Sequence, residues 1–149
     1  MYTKILIPTD GSTLSARAVE HGVKLAHSCQ AEIVFVSVRR PLHSMDHEPS
    51  LADNMPEDYK SFVHAYLTSE QSEHLDAAQA IAEAAGVVSQ GVCVENDDVY
   101  KAIIDAAQAN GCDLIVMASH GRRGVSAVVL GSETTKVLTH SDIPVLVCR

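Results

Sequence analysis

No hydrophobic run in this chain approaches the about 20 residues that a membrane-spanning helix needs. The opening residues, Met1-Tyr2-Thr3-Lys4-Ile5, pass straight into a short strand-like run, without the apolar segment and cleavage pattern of a secretory leader. Paired cysteines are missing as well. Cys29, Cys93, Cys112 and Cys148 are widely spaced, form no Cys-x-x-Cys, and mostly sit in or beside apolar runs. They read as buried free thiols in a reducing compartment, so the expected location is the cytoplasm. Positive charge is scarce: 11 Lys and Arg stand against 19 Asp and Glu, a net charge of -8. The balance argues against nucleic acid as a partner, since a phosphate-backbone binder usually carries a basic patch. No membrane partner is expected either.

Two familiar phosphate motifs are also absent. No Gly-x-x-x-x-Gly-Lys-Ser/Thr occurs, and the first strand-to-helix turn, Pro8-Thr9-Asp10-Gly11-Ser12, lacks Gly-x-Gly-x-x-Gly.

What is present is patterning. At 149 residues, 46% hydrophobic and 20% charged, the chain reads as one globular domain spanning residues 1–149. Lys4-Ile5-Leu6-Ile7-Pro8 is a short apolar run without a period of two, as in a strand buried on both faces. Ser12 or Thr13 can cap a helix over about 13–29 with Ala16, Val19, Val23 and Ala26 on one face. A second strand follows over 31–38. Residues 39–56, broken by Pro41, Pro49 and Pro56, read as a long surface loop. Apolar spacing then predicts a long helix over 57–85, bent near Thr68-Ser69 and ended by Gly86. Further strands are expected over 87–94, with Gly91 as a bulge, over 113–117 and over 142–148. Helices are expected from Val99 to Gly111, capped by Asp97 or Asp98, and from Gly131 to His140. Alternating strands and helices imply a parallel sheet with helices on both faces, an α/β fold. In such sheets ligands sit beyond the carboxyl ends of the strands, where the strand order reverses.

The stretch from Val116 to Ser132 draws attention on that ground. An apolar run breaks into Ala118-Ser119-His120-Gly121, and Gly131-Ser132 opens a helix nine residues later. Glycines let a ligand approach the backbone, and the first turn of a helix offers unpartnered N–H groups, so the stretch suits an anion. The same pattern also fits a loop that uses glycine only to turn.

Three motifs in register carry a resemblance over the full chain: Pro8-Thr9-Asp10-Gly11-Ser12, then Gly121 followed by nine residues and Gly131-Ser132, then His140-Ser141-Asp142-Ile143-Pro144-Val145-Leu146-Val147. The chain resembles the universal stress protein A family, in its nucleotide-binding branch. The resemblance implies an open five-stranded parallel sheet of the adenine-nucleotide α-hydrolase-like, Rossmann-like kind. It implies ATP or AMP as ligand, with Mg²⁺ as a companion of ATP, in a stress-response or signalling module. Asp10, in the turn begun by Pro8 and Thr9, would accept hydrogen bonds from ribose or adenine. Val38 would line the adenine pocket, and Met117 and Ala118 would lie against the sugar. Gly121 and Arg122 would give backbone N–H groups to phosphates, and Gly131, Ser132, Glu133 and Thr134 would hold phosphate at the helix start. Arg122 and Arg123 add positive charge there. One position departs: Ala118 stands where the family's first loop glycine is expected, which strains the backbone if that position needs φ > 0. The resemblance further implies a homodimer through the last strand, Val145-Leu146-Val147, otherwise an unprotected edge.

Other candidates carry less. His43, Asp46 and His47 lie in a proline-broken loop without a scaffold, so no metal is expected. His120 is expected to pack or cap the loop, and Tyr59, Phe62 and Tyr66 to serve as core or partner contacts. No general base or Mg²⁺-ligand pair accompanies the loop, so no catalytic residue is assigned and any ATP hydrolysis should be slow. The rival reading is a nucleotide-free scaffold of the same fold.

Overall fold

The apolar runs assemble into one sheet in the computed structural model, which describes residues 1–45, 54–120 and 130–149. The strands are β1 (Lys4–Pro8), β2 (Glu32–Arg39), β3 (Ser89–Glu95), β4 (Leu114–Ala118) and β5 (Val145–Cys148). The helices are α1 (Thr13–Cys29), a single turn α2 (Leu42–Met45), α3 (Glu57–Ala84), α4 (Val99–Ala109) and α5 (Ser132–His140). All pairings are parallel, in the order β3-β2-β1-β4-β5. The strands without alternation are the central ones: Ile5, Leu6 and Ile7 of β1 and Ile115 and Val116 of β4 are wholly buried. The edge strands β3 and β5 contain no buried residue.

Successive side chains point to opposite faces, so each central strand feeds two cores. On one face Ile5, Ile7, Phe35 and Val116 pack with Val19 and Val23 of α1 and Leu75 and Ala78 of α3. On the other, Leu6, Val36, Ile115 and Met117 pack with Ile103 and Ala107 of α4 and Val137 of α5. Phe35 has no exposed surface; truncating such a side chain to alanine costs about 3–5 kcal/mol.

Several local expectations change. Ser12 caps α1 as anticipated, its hydroxyl accepting the Ser15 N–H at 3.2 Å. Ala16 is exposed, however, and Ser15 takes the buried place beside Ala18, because the helix is rotated slightly from the predicted face. Residues 39–56 are not loop throughout: β2 runs to Arg39 and α2 follows, while 46–53, with Asp46, His47 and Pro49, lie outside the described residues. Gly91 makes no bulge, since β3 keeps register from Ser89 to Glu95. Glycine stands there because α3 lies close: a Cβ would sit 2.8 Å from Gln79 Oε1 and 3.3 Å from Leu75 Cβ.

Asp98 occupies the N-cap of α4 but its side chain makes no capping bond. Cys93 is exposed on the edge strand, whereas Cys112 is buried, which pushes its thiol up to about 11. The buried residues of α3 all lie between Gln71 and Ala82. Tyr59, Phe62 and Tyr66, in its amino-terminal half, are exposed and are not core. No described helix is long and apolar enough to cross a membrane.

Candidate functional site

The site-forming feature is a divergence between neighbouring strands. β1 pairs with β2 over five positions, Lys4↔Glu32 to Pro8↔Val36, but with β4 at only two, Ile5↔Leu114 and Leu6↔Ile115. The carboxyl ends of β1 and β4 therefore part. α1 and α5, which follow these two strands, pack on opposite faces of the sheet. This is the switch point, where sheets of this kind form a ligand crevice.

The far flank is Val38. The Thr9 N–H donates to Val36 O at 2.9 Å, and the Asn96 N–H donates to Arg39 O at 3.0 Å. Backbone groups of β2 thus alternate, even residues toward β1 and odd toward β3. Val38 lies two residues past the last β1 pair. Its N–H and C=O point into the space beyond the end of β1, which suits the edge of a planar, hydrogen-bonding base. Gln71, buried on α3, anchors this strand end by donating Nε2 to Ser37 O at 2.9 Å.

The turn after β1 is built for rigidity. Asp10 Oδ1 accepts the Ser12 N–H at 3.0 Å, closing an Asx turn. Thr9 is buried, its hydroxyl 3.4 Å from that of Ser15. Gly11 has φ +74°, the left-handed region, and the His74 ring of α3 lies where a Cβ would project. Pro8 ends the strand half-buried, and Asp10, also half-buried, follows in the turn at the carboxyl end of β1.

On the β4 side, Met117 and Ala118 are buried. The only described non-glycine residue with positive φ is Gln30, so Ala118 sits in ordinary strand backbone. The strain that would attend an alanine in the left-handed region does not arise; only its methyl group distinguishes it from glycine. Thr134 Oγ1 donates to Ala118 O at 3.0 Å and lies 3.3 Å from Ser119 O, and the Gly131 N–H donates to Ser119 O at 2.8 Å. These bonds fasten the start of α5 to the end of β4. Gly131 fits because a Cβ would stand 3.1 Å from Ser119 O and 3.3 Å from His120 Cα. Ser119 Oγ and His120 Nδ1 are hydrogen-bonded at 3.0 Å, a loop-capping contact.

Ser132 leads α5 with its side chain exposed, and Gly131 provides no side-chain cap. The amides at the start of a helix have no carbonyl partner within it, so they are the natural anion donors here. The Glu133 carboxylate is held by protein groups. Its Oε2 accepts the Tyr100 N–H at 2.9 Å and so caps α4, while Oε1 lies 3.4 Å from Lys136 Nζ and 3.8 Å from an Arg40 guanidinium nitrogen. The Glu133 carboxylate is thus occupied by protein partners, which leaves its backbone N–H as the group to offer a ligand, and the hydroxyl of Thr134 is committed to β4.

Of the predicted residues, Pro8, Thr9, Asp10, Val38, Met117, Ala118, Gly131, Ser132, Glu133 and Thr134 lie along this one end of the sheet. Gly121 and Arg122, with Arg123, lie outside the described residues. No cluster of metal ligands occurs among the described residues. Sequence reasoning missed Arg40, Gln71 and His74. Each acts through a partner at least 34 positions away, and no local spacing announces such contacts.

Comparison with known proteins follows this geometry. The model of the universal stress protein family matches residues 1–149. Universal stress protein MJ0531 of Methanocaldococcus jannaschii is 31% identical over all of this chain and 83% of its own length. Universal stress protein YxiE of Bacillus subtilis is 30% identical, with both chains fully covered. The solved structure of M. jannaschii MJ0577 superposes with a TM-score of 0.80 at 27% identity, covering 99% of this chain and 95% of that one. The same fold appears in a universal stress protein in complex with cAMP, with a TM-score of 0.67 at 24% identity, covering 99% of this chain and 97% of that one.

Proposed function

The chain belongs to the universal stress protein family, and on that footing we propose that it binds ATP or AMP at the parted ends of β1 and β4. The observation that carries the reading is the strand order. It sets the Asp10 turn, the outward backbone of Val38 and the first turn of α5 around one crevice. Adenine lies against Val38, whose N–H and C=O read its edge. Asp10 accepts from the ribose or the base, and Met117 and Ala118 form the floor beneath the sugar. The phosphates take backbone N–H groups from Ser132 through Thr134, with the Ser132 hydroxyl as a further donor and with Gly121 and Arg122, outside the described residues, as the expected partners from the loop; the Gly131 N–H is already committed to Ser119 O. Pro8 and Thr9 shape the turn, and Mg²⁺ accompanies ATP. Further support is that this fold holds an adenine nucleotide in the cAMP-bound relative.

In this reading the protein is a nucleotide-sensing module of the cytoplasmic stress response, with at most slow hydrolysis, and no general base is assigned among the described residues. It works as a homodimer through β5, whose Leu146 is 43% exposed at the sheet edge. The test is mass spectrometry of nucleotide released from the purified protein, joined to thermal melts with ATP and AMP. Ligand at a hundredfold excess over Kd should raise Tm by on the order of 5–10 °C. An unchanged Tm at millimolar nucleotide, with nothing co-purifying, would establish the nucleotide-free scaffold instead.

A further inference from the structure

Arg40 follows the strand assigned to adenine, and Glu133 lies in the first turn of the helix assigned to phosphate. Their side chains meet at 3.8 Å, so one ion pair links the two flanks of the crevice. Glu133 cannot simply rotate away, because its other oxygen holds the Tyr100 N–H at 2.9 Å. A carboxylate is thus fixed beside the amides that would receive an anion. At a helix start it is favoured by the macrodipole, but it repels a phosphate chain unless it is neutralised. Among the described residues two cations do that: Lys136, 3.4 Å away on the same helix, and Arg40, which follows β2. Lys136 is also drawn toward Tyr100, its ammonium 5.4 Å from the ring centroid. Arg40 reaches Glu133 from the end of β2, with its side chain 43% exposed and a planar fork that can serve a carboxylate and a phosphate together.

We propose that the Arg40–Glu133 pair bridges the nucleotide crevice, and that Arg40 sets how strongly the site prefers ligands with longer, more charged phosphate chains. The inference rests on the nucleotide reading above and concerns its selectivity. With Arg40 present, the charge of Glu133 is offset by a guanidinium. Without it, the fixed carboxylate opposes each added phosphate charge.

The experiment is calorimetric titration of the intact protein with adenosine, AMP, ADP and ATP, at one ionic strength, for wild type, Arg40→Ala, Arg40→Lys and Glu133→Gln. Arg40→Ala should weaken ATP by on the order of tenfold, AMP by roughly two- to threefold, and adenosine not at all. Arg40→Lys should recover most of the ATP affinity. Glu133→Gln keeps an acceptor for the Tyr100 N–H and removes the charge, so it should strengthen ATP relative to adenosine. A loss that is equal for all four ligands would overturn the proposal, since a merely structural arginine acts without regard to ligand charge. So would a Glu133→Gln variant whose ATP-to-adenosine ratio is unchanged. A wild-type protein that binds none of the four refutes the nucleotide reading itself and the bridge with it.

Discussion

At the amino ends of β1 and β4 a carboxylate ties the strands together; at their carboxyl ends the same strands part. Asp113, just before β4, accepts the Thr3 N–H at 2.8 Å, the Thr3 hydroxyl at 2.8 Å and the Lys4 N–H at 3.1 Å. Lys4 in turn pairs with Glu32 of β2 at 3.1 Å. At the other end the polar groups serve turns and helix starts, and Val38 keeps its N–H and C=O turned beyond the sheet. The lesson is a division of labour along one set of strands. One end spends its carboxylate on closing the fold; at the other, where the nucleotide is proposed to bind, a carboxylate closes a turn and the amides of α5 open a helix.

The sharpest way to break this comparison is to deform the scaffold of the open end. Gly11→Ala puts a Cβ into the His74 ring at a backbone angle of +74°. The combined clash and left-handed strain should cost about 2–4 kcal/mol in urea denaturation. Removing the ring as well, in Gly11→Ala/His74→Ala, should relieve the steric part and leave about 1 kcal/mol of backbone strain. If the double variant is no better than the sum of the singles, His74 does not govern the turn.

The closed end should answer next. Burial opposes ionisation of Asp113, but the bonds from Thr3 and Lys4 outweigh it and hold the carboxyl below its usual range. A carboxyl depressed in the folded state adds stability above its unfolded pKa of about 3.9, and that stability is lost as pH falls through the folded value. Asp113→Asn should therefore cost about 1–2 kcal/mol at pH 7. The deficit relative to wild type should shrink on acidification below about pH 4. A deficit that stays constant from pH 7 to pH 3 would mean that packing, not charge, makes the contact.

The closed end also marks what a reader of the sequence could and could not see. The β-branched, unalternating runs of β1, β2 and β4 announce a doubly covered parallel sheet, because only a strand buried on both faces tolerates them. Helix starts are legible where the cap is local, as at Ser12. They are not legible where it is remote: Asp98 stands in place at α4, yet Glu133 supplies the bond, from 33 positions away. The same distance hid the Asp113 tie, which joins residues 110 positions apart. The aromatic spacing of Tyr59, Phe62 and Tyr66 reads as core or partner contacts, since periodicity says only that residues share a face, and all three are exposed. Only the part of α3 from Gln71 onward buries side chains against the rest of the fold. In the site, residue types and spacing marked Asp10, Gly131 and Ser132. That Ala118 would be unstrained depended on a φ angle that no sequence displays.

The smallest effect on stability should come with the largest effect on ligand. Asp10 closes an Asx turn at 3.0 Å, in a half-buried position. Asp10→Asn retains an oxygen for the Ser12 N–H, so unfolding should change by no more than about 0.5 kcal/mol. The charge that would attract ribose hydroxyls is gone, so the rise in Tm produced by ATP or AMP should fall by most of its value. Asp113→Asn is the mirror experiment: a lower Tm without ligand, and an undiminished rise with it. Scanning both variants with and without nucleotide places the two ends of the sheet on separate axes. Should Asp113→Asn also abolish the rise, the two ends are mechanically coupled through β1 and β4. The contrast between a closing carboxylate and a receiving one would then be a single property of the strands.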